Sequence, residues 1–261
     1  MKKILMVALV LILTLSLVAC GGTSDKLASI EKAKKIVVYT DPNFPPFEFI
    51  ENSGPEGVDI EIAKAIGEAL GVEVEFSESN FDAIVMAIKG GKGDIAISGM
   101  TITDERKQSV DFSDPYITSV QYLILPEDSK ITTVESLEGQ KIGVAKGYTG
   151  SFLVEDDIAE GVLKDKGASF TEYPSAMEAT LDLTNGKVAA VVMDEYVAKN
   201  IAEKNDGLKA VELKFEDGSN AAEDYGVVVP KGNEDLLKKI NEVIKQLRDD
   251  GKIEEWIIQF A

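Results

Sequence analysis

The stretch "FDAIVMAIKGGKGDIAISGMT", residues 81–101, decides the fold. Phe81 to Lys89 carries apolar residues at helical spacing. The glycine-rich "GGKG" stops that run, and Asp94 to Ser98 is a short apolar strand ending in the polar bend Ser98–Thr101. Working upstream, Ile36 to Tyr39 reads as a buried strand closed by the proline-rich "TDPNFPPFEF". Asp59 to Gly71 is an amphipathic helix in which Ile62, Ile66 and Leu70 recur every four residues, and Val72, Val74 and Phe76 alternate as a half-buried strand. A helix lying between consecutive strands requires crossover connections, hence a mainly parallel sheet covered by helices.

Downstream the pattern returns. "KIVVYTD" at 35–41 has a partner in "KIGVAKG" at 141–147, and the helix–"GGKG"–strand–bend unit has one in a helix near 175–184, "NGK", the strand Val188 to Met193, and Asp194. Two such units predict two α/β lobes. The tail after "AAEDYGVVVPKGN" adds a helix with Leu236, Leu237, Ile240, Val243, Ile244 and Leu247 on one face, then a short segment holding Trp256 and Phe260.

Composition excludes several functions. The chain has no histidine, which removes Ser-His-Asp and Cys-His pairs and the common zinc sites. Its one cysteine, Cys20, gives neither a disulfide framework nor a thiolate metal site, so no metal or cofactor is expected. A net charge of −19 lacks the basic footprint that nucleic acid requires. Lys2 and Lys3 precede an apolar run from Ile4 to Ala19, too short for a spanning helix and of the right length for a signal-peptide core. Residues 1–19 are therefore expected to be removed, and residues 20–34 read as a polar, alanine-rich flexible tether.

In open parallel sheets, ligands bind beyond the carboxyl ends of strands. Four polar points fall there: Asp41, the bend Ser98-Gly99-Met100-Thr101, the loop Gly147–Gly150, and Asp194. They divide evenly between the two units, so a ligand held between two lobes would meet all four. Arg106 is one of only two arginines beside 25 lysines, and it falls in the first turn of a short helix that Thr103 can cap. A cation there opposes the helix dipole. It calls for a partner, and arginine's rigid fork meets a carboxylate through two parallel hydrogen bonds. Two readings compete: a ligand carboxylate, or a structural pair with Asp104 or Asp114. Asp194 is equally open between binding an ammonium and capping the following "EYVAKN" helix, and Thr101 and Thr149 between headgroup contacts and plain turn residues. Phe44 and Phe81 are either core or, if exposed, two flat faces for an amide or guanidinium.

The motifs "TDPNFPPFEF", "GVDIEIAKAIGEALG", "FDAIVMAIKGGKGDIAISGMTITDERKQSVDFSDPY", "GQKIGVAKGYTG", "VVMDEY" and "YGVVVPKGN" resemble the extracytoplasmic solute-binding proteins of polar amino-acid ABC importers, in order and over nearly the whole mature chain. The nearest are the glutamine and the lysine/arginine/ornithine and histidine binders. The resemblance implies a two-lobed periplasmic-binding-protein-like α/β fold joined by two hinge strands, with lobe 1 at 35–118 and 220–261 and lobe 2 at 119–219. It implies no enzyme activity, a monomer that captures a free L-amino acid, and delivery to an ABC permease and ATPase complex. By position, Arg106 would hold the α-carboxylate with backbone amides near Thr101 and Thr149. Asp194 would take the α-ammonium with the Gly99 carbonyl and the Thr101 hydroxyl. Asp41, Phe44 and Phe81 would lie along the side chain, with Met193 and Ala145 at its far wall. "LVACG" at 17–21 resembles a bacterial lipoprotein cleavage box, implying a lipidated Cys20 at the extracytoplasmic face of a cell membrane.

Departures bear on the ligand. Glutamine binders of this family carry a lysine at the position of Ala145 and a histidine at that of Met193, so both losses count against glutamine. The family's glycine-threonine-threonine loop reads Gly147-Tyr148-Thr149, which places Tyr148 at the pocket rim. Asp41 and the two phenylalanines suit an arginine-like side chain. The rival readings are an amino-acid-sensing protein and an enzyme resembling cyclohexadienyl dehydratases, whose asparagine-bearing loop "AKGYTG" lacks.

Overall fold

The structure, a computed structural model, describes residues 25–51 and 54–261. The leader and Cys20 lie outside the described residues. The first element corrects the tether expected over residues 20–34, because Lys26–Ala33 form helix α1. Asp25 caps it by accepting from the Ala28 amide at 3.0 Å, and Lys34 ends it in the left-handed region. Ile30 is buried, and Lys26 Nζ reaches Asp94 at 2.8 Å. With Leu27 and Ile30 as its only long apolar side chains, this helix carries too little periodicity to be seen in the sequence.

The first lobe then builds β1 (Lys35–Thr40), β2 (Asn43–Phe44), β3 (Glu48–Glu51), β4 (Gly54–Glu56), α2 (Val58–Leu70), β5 (Glu73–Glu78), α3 (Phe81–Lys89), β6 (Ile95–Ala96), α4 (Asp104–Lys107) and β7 (Asp111–Phe112). The long strand β8 (Ile117–Pro126) leaves it. The second lobe follows with β9 (Lys141–Ala145), α5 (Thr149–Ala159), β10 (Ser169–Tyr173), α6 (Ala176–Thr184), β11 (Ala190–Asp194), α7 (Glu195–Lys204) and β12 (Leu208–Glu212). The chain returns along β13 (Ala222–Tyr225) to β14 (Val228–Val229), α8 (Glu234–Asp249) and α9 (Lys252–Phe260).

Each lobe centres on a mixed sheet. In the first, ordered β5-β1-β6-β14-β7, the three strands β5, β1 and β6 run parallel and β14 enters antiparallel. In the second, ordered β10-β9-β11-β8-β12, strands β10, β9 and β11 are parallel and β8 is antiparallel to both of its neighbours. The parallel part is the expected crossover grammar. The antiparallel part comes from β8 and β14, which arrive from the other lobe. Strands β8 and β13 pair antiparallel, Ser119 opposite Glu223, and form the double crossing between the lobes.

Apolar spacing explains the helices. α2 buries Ile62 and Ile66 against the first sheet and stops at Gly71, whose φ of 66° ends the helix as glycine does most readily. α8 buries Leu236, Ile240 and Ile244, and α8 and α9 pack over α2, so the C-terminus completes the lobe that the N-terminus began. β6 is shorter than the strand expected from Asp94 to Ser98. The Asp94 and Ile97 amides still donate to β1 carbonyls, at 2.9 and 3.1 Å, and the chain then bends away at Ser98. No described helix is long and apolar enough to cross a membrane.

Candidate functional site

The strand ends predicted to bind do converge. Asp41 follows β1, Ser98–Thr101 follow β6, Gly147–Thr149 follow β9, and Asp194 ends β11, all at the junction of the lobes. Lys146 bridges that junction to Asp82 at 2.8 Å.

Arg106 is 9 % exposed, and its fork is engaged by backbone from both lobes: Nη1 donates to the Thr101 carbonyl at 2.7 Å and Nη2 to the Gly147 carbonyl at 2.9 Å. The structural pair with Asp104 or Asp114 is not formed. Asp104 faces Lys107 at 3.7 Å, and the Asp114 amide donates to Asn241. Thr103 caps α4 as expected, accepting from the Arg106 amide at 3.1 Å. Burial pulls the guanidinium pKa below its ordinary value, while Glu223 and Asp194 oppose that pull.

Asp194 lies at the start of α7, but its side chain makes no capping bond. Instead it accepts from Gln121 Nε2 on the hinge strand β8. Burial first, then the nearby Glu223 carboxylate, push Asp194 well above the usual carboxylate range. The hydroxyls of Thr101 and Thr149 both donate to one oxygen of Glu223, at 2.9 and 2.7 Å. Glu223, Gln121 and their place beside Asp194 are absent from the sequence reading. The available signal was the period of two along β13: Glu223 shares a face with Tyr225, while Asp224 turns to Thr118 at 2.6 Å.

Asp41 is buried and caps α3, accepting from the Phe81 amide at 3.0 Å and from Asn43 at 2.6 Å. Burial raises its pKa against those two bonds. Ala145, Met193, Phe44 and Phe81 all belong to one buried apolar cluster with Met100 and Tyr148. One open alternative is decided here and one expectation is corrected. Phe44 and Phe81 are 1 % and 4 % exposed, so neither offers a free face. Tyr148 is not at a rim. Its ring stacks on Phe81 at 3.9 Å with 16° between planes, and on Phe44 at 5.5 Å with 25°. The sequence placed Tyr148 on the correct loop, but which way its ring turns is decided by two phenylalanines of the other lobe.

Ser98 serves the wall of the site. Its hydroxyl accepts from the Asp41 amide at 3.0 Å and donates to Glu48 Oε1 at 2.6 Å. The Gly99 amide donates to Asp59 Oδ2 at 2.6 Å, as does the Tyr116 hydroxyl at 2.9 Å. Gly99 is required, because its φ is 49° and a Cβ would meet the Phe44 ring at 2.2 Å. Beneath this bend, Glu48 Oε2 and Asp59 Oδ1 are buried without hydrogen-bond partners. Burial and mutual repulsion push Glu48 well up, and burial pushes Asp59 up to about 6. One proton shared between the two carboxyls satisfies both oxygens.

The chain matches the bacterial extracellular solute-binding proteins, family 3, over residues 36–260. It is 33 % identical to a probable histidine-binding protein of Neisseria gonorrhoeae, over 92 % of this chain and 89 % of that one. It is also 33 % identical to the ABC transporter glutamine-binding protein GlnH of Bacillus subtilis (strain 168), over 98 % and 96 %. Among solved structures it is similar to the amino-acid ABC transporter substrate-binding protein AbpA from Streptococcus pneumoniae Canada MDR_19A bound to L-arginine, with a TM-score of 0.81, 33 % identity, and coverage of 89 % and 96 %. The two-lobed fold and the family match define a solute receptor. The chain belongs to family 3 of the bacterial extracellular solute-binding proteins.

The buried acid pair gives a testable pH dependence. Both folded-state pKa values lie above the unfolded ones, so the folded chain binds more protons; the contribution of Asp59 falls as pH rises from about 4 through about 6, and that of Glu48 falls as pH rises above its ordinary carboxylate range. Glu48→Gln keeps a donor toward Asp59 but cannot ionise, so urea unfolding across that range should show a flatter stability–pH slope than the native chain. An unchanged slope refutes the shared proton.

Proposed function

We propose that this substrate-binding protein of an amino-acid ABC importer captures a cationic L-amino acid, arginine first, then lysine or ornithine, with glutamine as the alternative and acidic amino acids excluded. The observation that carries the headgroup assignment is a buried guanidinium, Arg106, held by two carbonyls, and a buried carboxyl, Asp194, held by the Gln121 amide, with no ion pair to either among the described residues. A zwitterion supplies both counter-charges. Its carboxylate meets Arg106 and the amides near Thr101 and Thr149, and its ammonium meets Asp194, the Gly99 carbonyl and the Thr101 hydroxyl. A buried charge is costly unless paired, so a free α-amino acid stabilises both ends at once.

The side-chain preference rests on Asp41. It is 3 % exposed and lies at the aromatic cluster of Phe44 and Phe81, where a cation offsets its burial and a neutral amide does not. Ala145 and Met193 offer no strong donor to an amide oxygen. The L-arginine named for the pneumococcal structure supports this ordering, and other relatives are named for histidine and glutamine. The protein works as a monomer with the permease and ATPase. It is held at the extracytoplasmic face of a cell membrane by lipid on Cys20, after removal of residues 1–19. One acyl chain anchors only marginally, so a stable tether needs more than one.

Three measurements test this reading. In a competition assay arginine should outbind glutamine, and Asp41→Asn should narrow the gap by weakening arginine more; glutamine or glutamate outbinding arginine refutes the cationic preference and leaves the headgroup assignment standing. Arg106→Lys keeps the charge but loses the fork, so calorimetry should show binding weakened by roughly 10- to 100-fold, the worth of about 1.5–3 kcal/mol for hydrogen bonds to a charged group. Near-native binding would show that planar geometry is not required. Cys20→Ser should release or misprocess the protein, and mass spectrometry finding an unmodified mature N-terminus at another residue would remove the lipid anchor.

A further inference from the structure

Three consecutive residues of the second lobe, Gly147-Tyr148-Thr149, reach three different parts of the proposed site. The Gly147 carbonyl accepts from Arg106 Nη2 at 2.9 Å, where a ligand carboxylate oxygen would compete for the same donor. The Thr149 hydroxyl donates to Glu223 at 2.7 Å, beside Asp194. Between them, Tyr148 is 4 % exposed, with its ring 3.9 Å from the Phe81 centroid and 5.5 Å from that of Phe44. Burial first, then the Asp41 charge, push the Tyr148 hydroxyl well above its ordinary pKa, and that hydroxyl in turn lowers the pKa of Asp41.

That arrangement resembles a ligand side chain in every respect but one: it has a flat group against two phenyl rings and a polar tip at a buried carboxylate, but it carries no positive charge. Phe44 and Phe81 belong to the first lobe and Tyr148 to the second, so the slot is filled across the lobe junction. Gly147 allows this approach. Its φ is 80°, and a Cβ would sit 2.9 Å from that of Asp82, so the loop lies directly on the start of α3. A ring centroid 3.9 Å away leaves no thickness for another planar group on that face of Phe81.

We infer that Tyr148 is a specificity-determining residue that occupies the side-chain slot as an internal competitor, so that a bound amino acid with a long side chain must displace it while one with little or no side chain need not. The inference deepens the slot reading above. It predicts a distinct pattern. The cost of displacing Tyr148 is common to all long ligands, so removing the ring strengthens them by a similar factor and leaves their mutual ranking intact. Ligands that present only the headgroup do not respond. The competition also sets a threshold: a neutral amide replaces the tyrosine with an equivalent contact, whereas a guanidinium or ammonium adds charge opposite Asp41.

The test is calorimetric titration of the full chain and of Tyr148→Thr and Tyr148→Phe with arginine, lysine, glutamine, alanine and glycine. Tyr148→Thr should tighten arginine, lysine and glutamine by about tenfold each, the scale of a stacked aromatic contact with a polar tip, and leave alanine and glycine unchanged. Tyr148→Phe keeps the ring and loses the tip, so it should tighten the same three by a smaller factor, which also covers the case in which the threonine variant fails to fold. Unchanged or weakened long-ligand binding in the variants makes Tyr148 a wall or a lid and overturns the proposal, as does equal tightening of glycine. If glutamine proves the best ligand yet tightens in the variants, the cationic preference fails and the competitor stands. If arginine is best but does not tighten, the competitor alone fails.

Discussion

Arg106 is a buried cation whose two guanidinium ends are engaged by carbonyls from different lobes, Thr101 from the first and Gly147 from the second. Much of the junction follows from placing that charge. A guanidinium taken from water loses solvation that two neutral carbonyls only partly replace. Its surroundings are accordingly acidic, with Glu223 and Asp194 each favouring the charged form. Those acids are themselves buried or crowded, and Asp194 is driven toward protonation by the same desolvation. The site therefore holds charges of both signs without letting them meet directly. A molecule with its own separated charges resolves that better than any side-chain rearrangement within the fold.

The rigid part of the site is the bend Ser98–Thr101, and its rigidity comes from below. Glu48 and Asp59 hold the Ser98 hydroxyl and the Gly99 amide at 2.6 Å each, and Tyr116 donates to the same Asp59 oxygen as the Gly99 amide. With the Gly99 amide fixed in this way and a backbone that only glycine adopts readily, the peptide planes of the bend have little freedom, so its carbonyls point in set directions. A shared proton between two buried acids would give this layer one hydrogen-bonded unit with a single negative charge, in place of two repelling ions. Preorganising carbonyls for an ammonium by such a layer lowers the ordering cost at binding.

Much of the fold was legible because it is local. α2, α3 and α8 carry apolar residues at helical spacing, and the strands followed by a polar residue marked the edges that meet at the lobe junction. α1 was missed because one buried isoleucine is below any periodic signal. What the sequence could not show is long-range convergence. Glu223 meets Thr101 and Thr149 from 122 and 74 residues away, and neither threonine's surroundings point to it. The Glu48 and Asp59 pair was hidden for the same reason, and Asp59 was masked further because an acid opening a helix is the ordinary pattern. Tyr148 shows the limit most clearly: its loop position follows from the resemblance, but its stacking on Phe81 depends on how two lobes close.

Charge balance then distinguishes among ligands that share one headgroup. Around the junction stand Arg106 on one side and Asp41, Asp194 and Glu223 on the other, with burial raising the pKa of Asp41 and Asp194. Each raised pKa means that ionising the acid there is unfavourable until a cation arrives. In the proposed binding mode, a neutral zwitterion would bring one positive charge to Asp194 and give its negative charge to Arg106, leaving Asp41 as it was. A ligand with a cationic side chain would bring a second positive charge to the far end of the slot and make ionised Asp41 favourable as well. Its advantage over an amide is thus tied to the protonation of Asp41. It shrinks when acid keeps that carboxyl neutral and is complete once the carboxyl is charged. In the proposed binding mode, a buried acid at the end of an apolar slot favours a cation over an amide, and the aromatic walls favour a flat one.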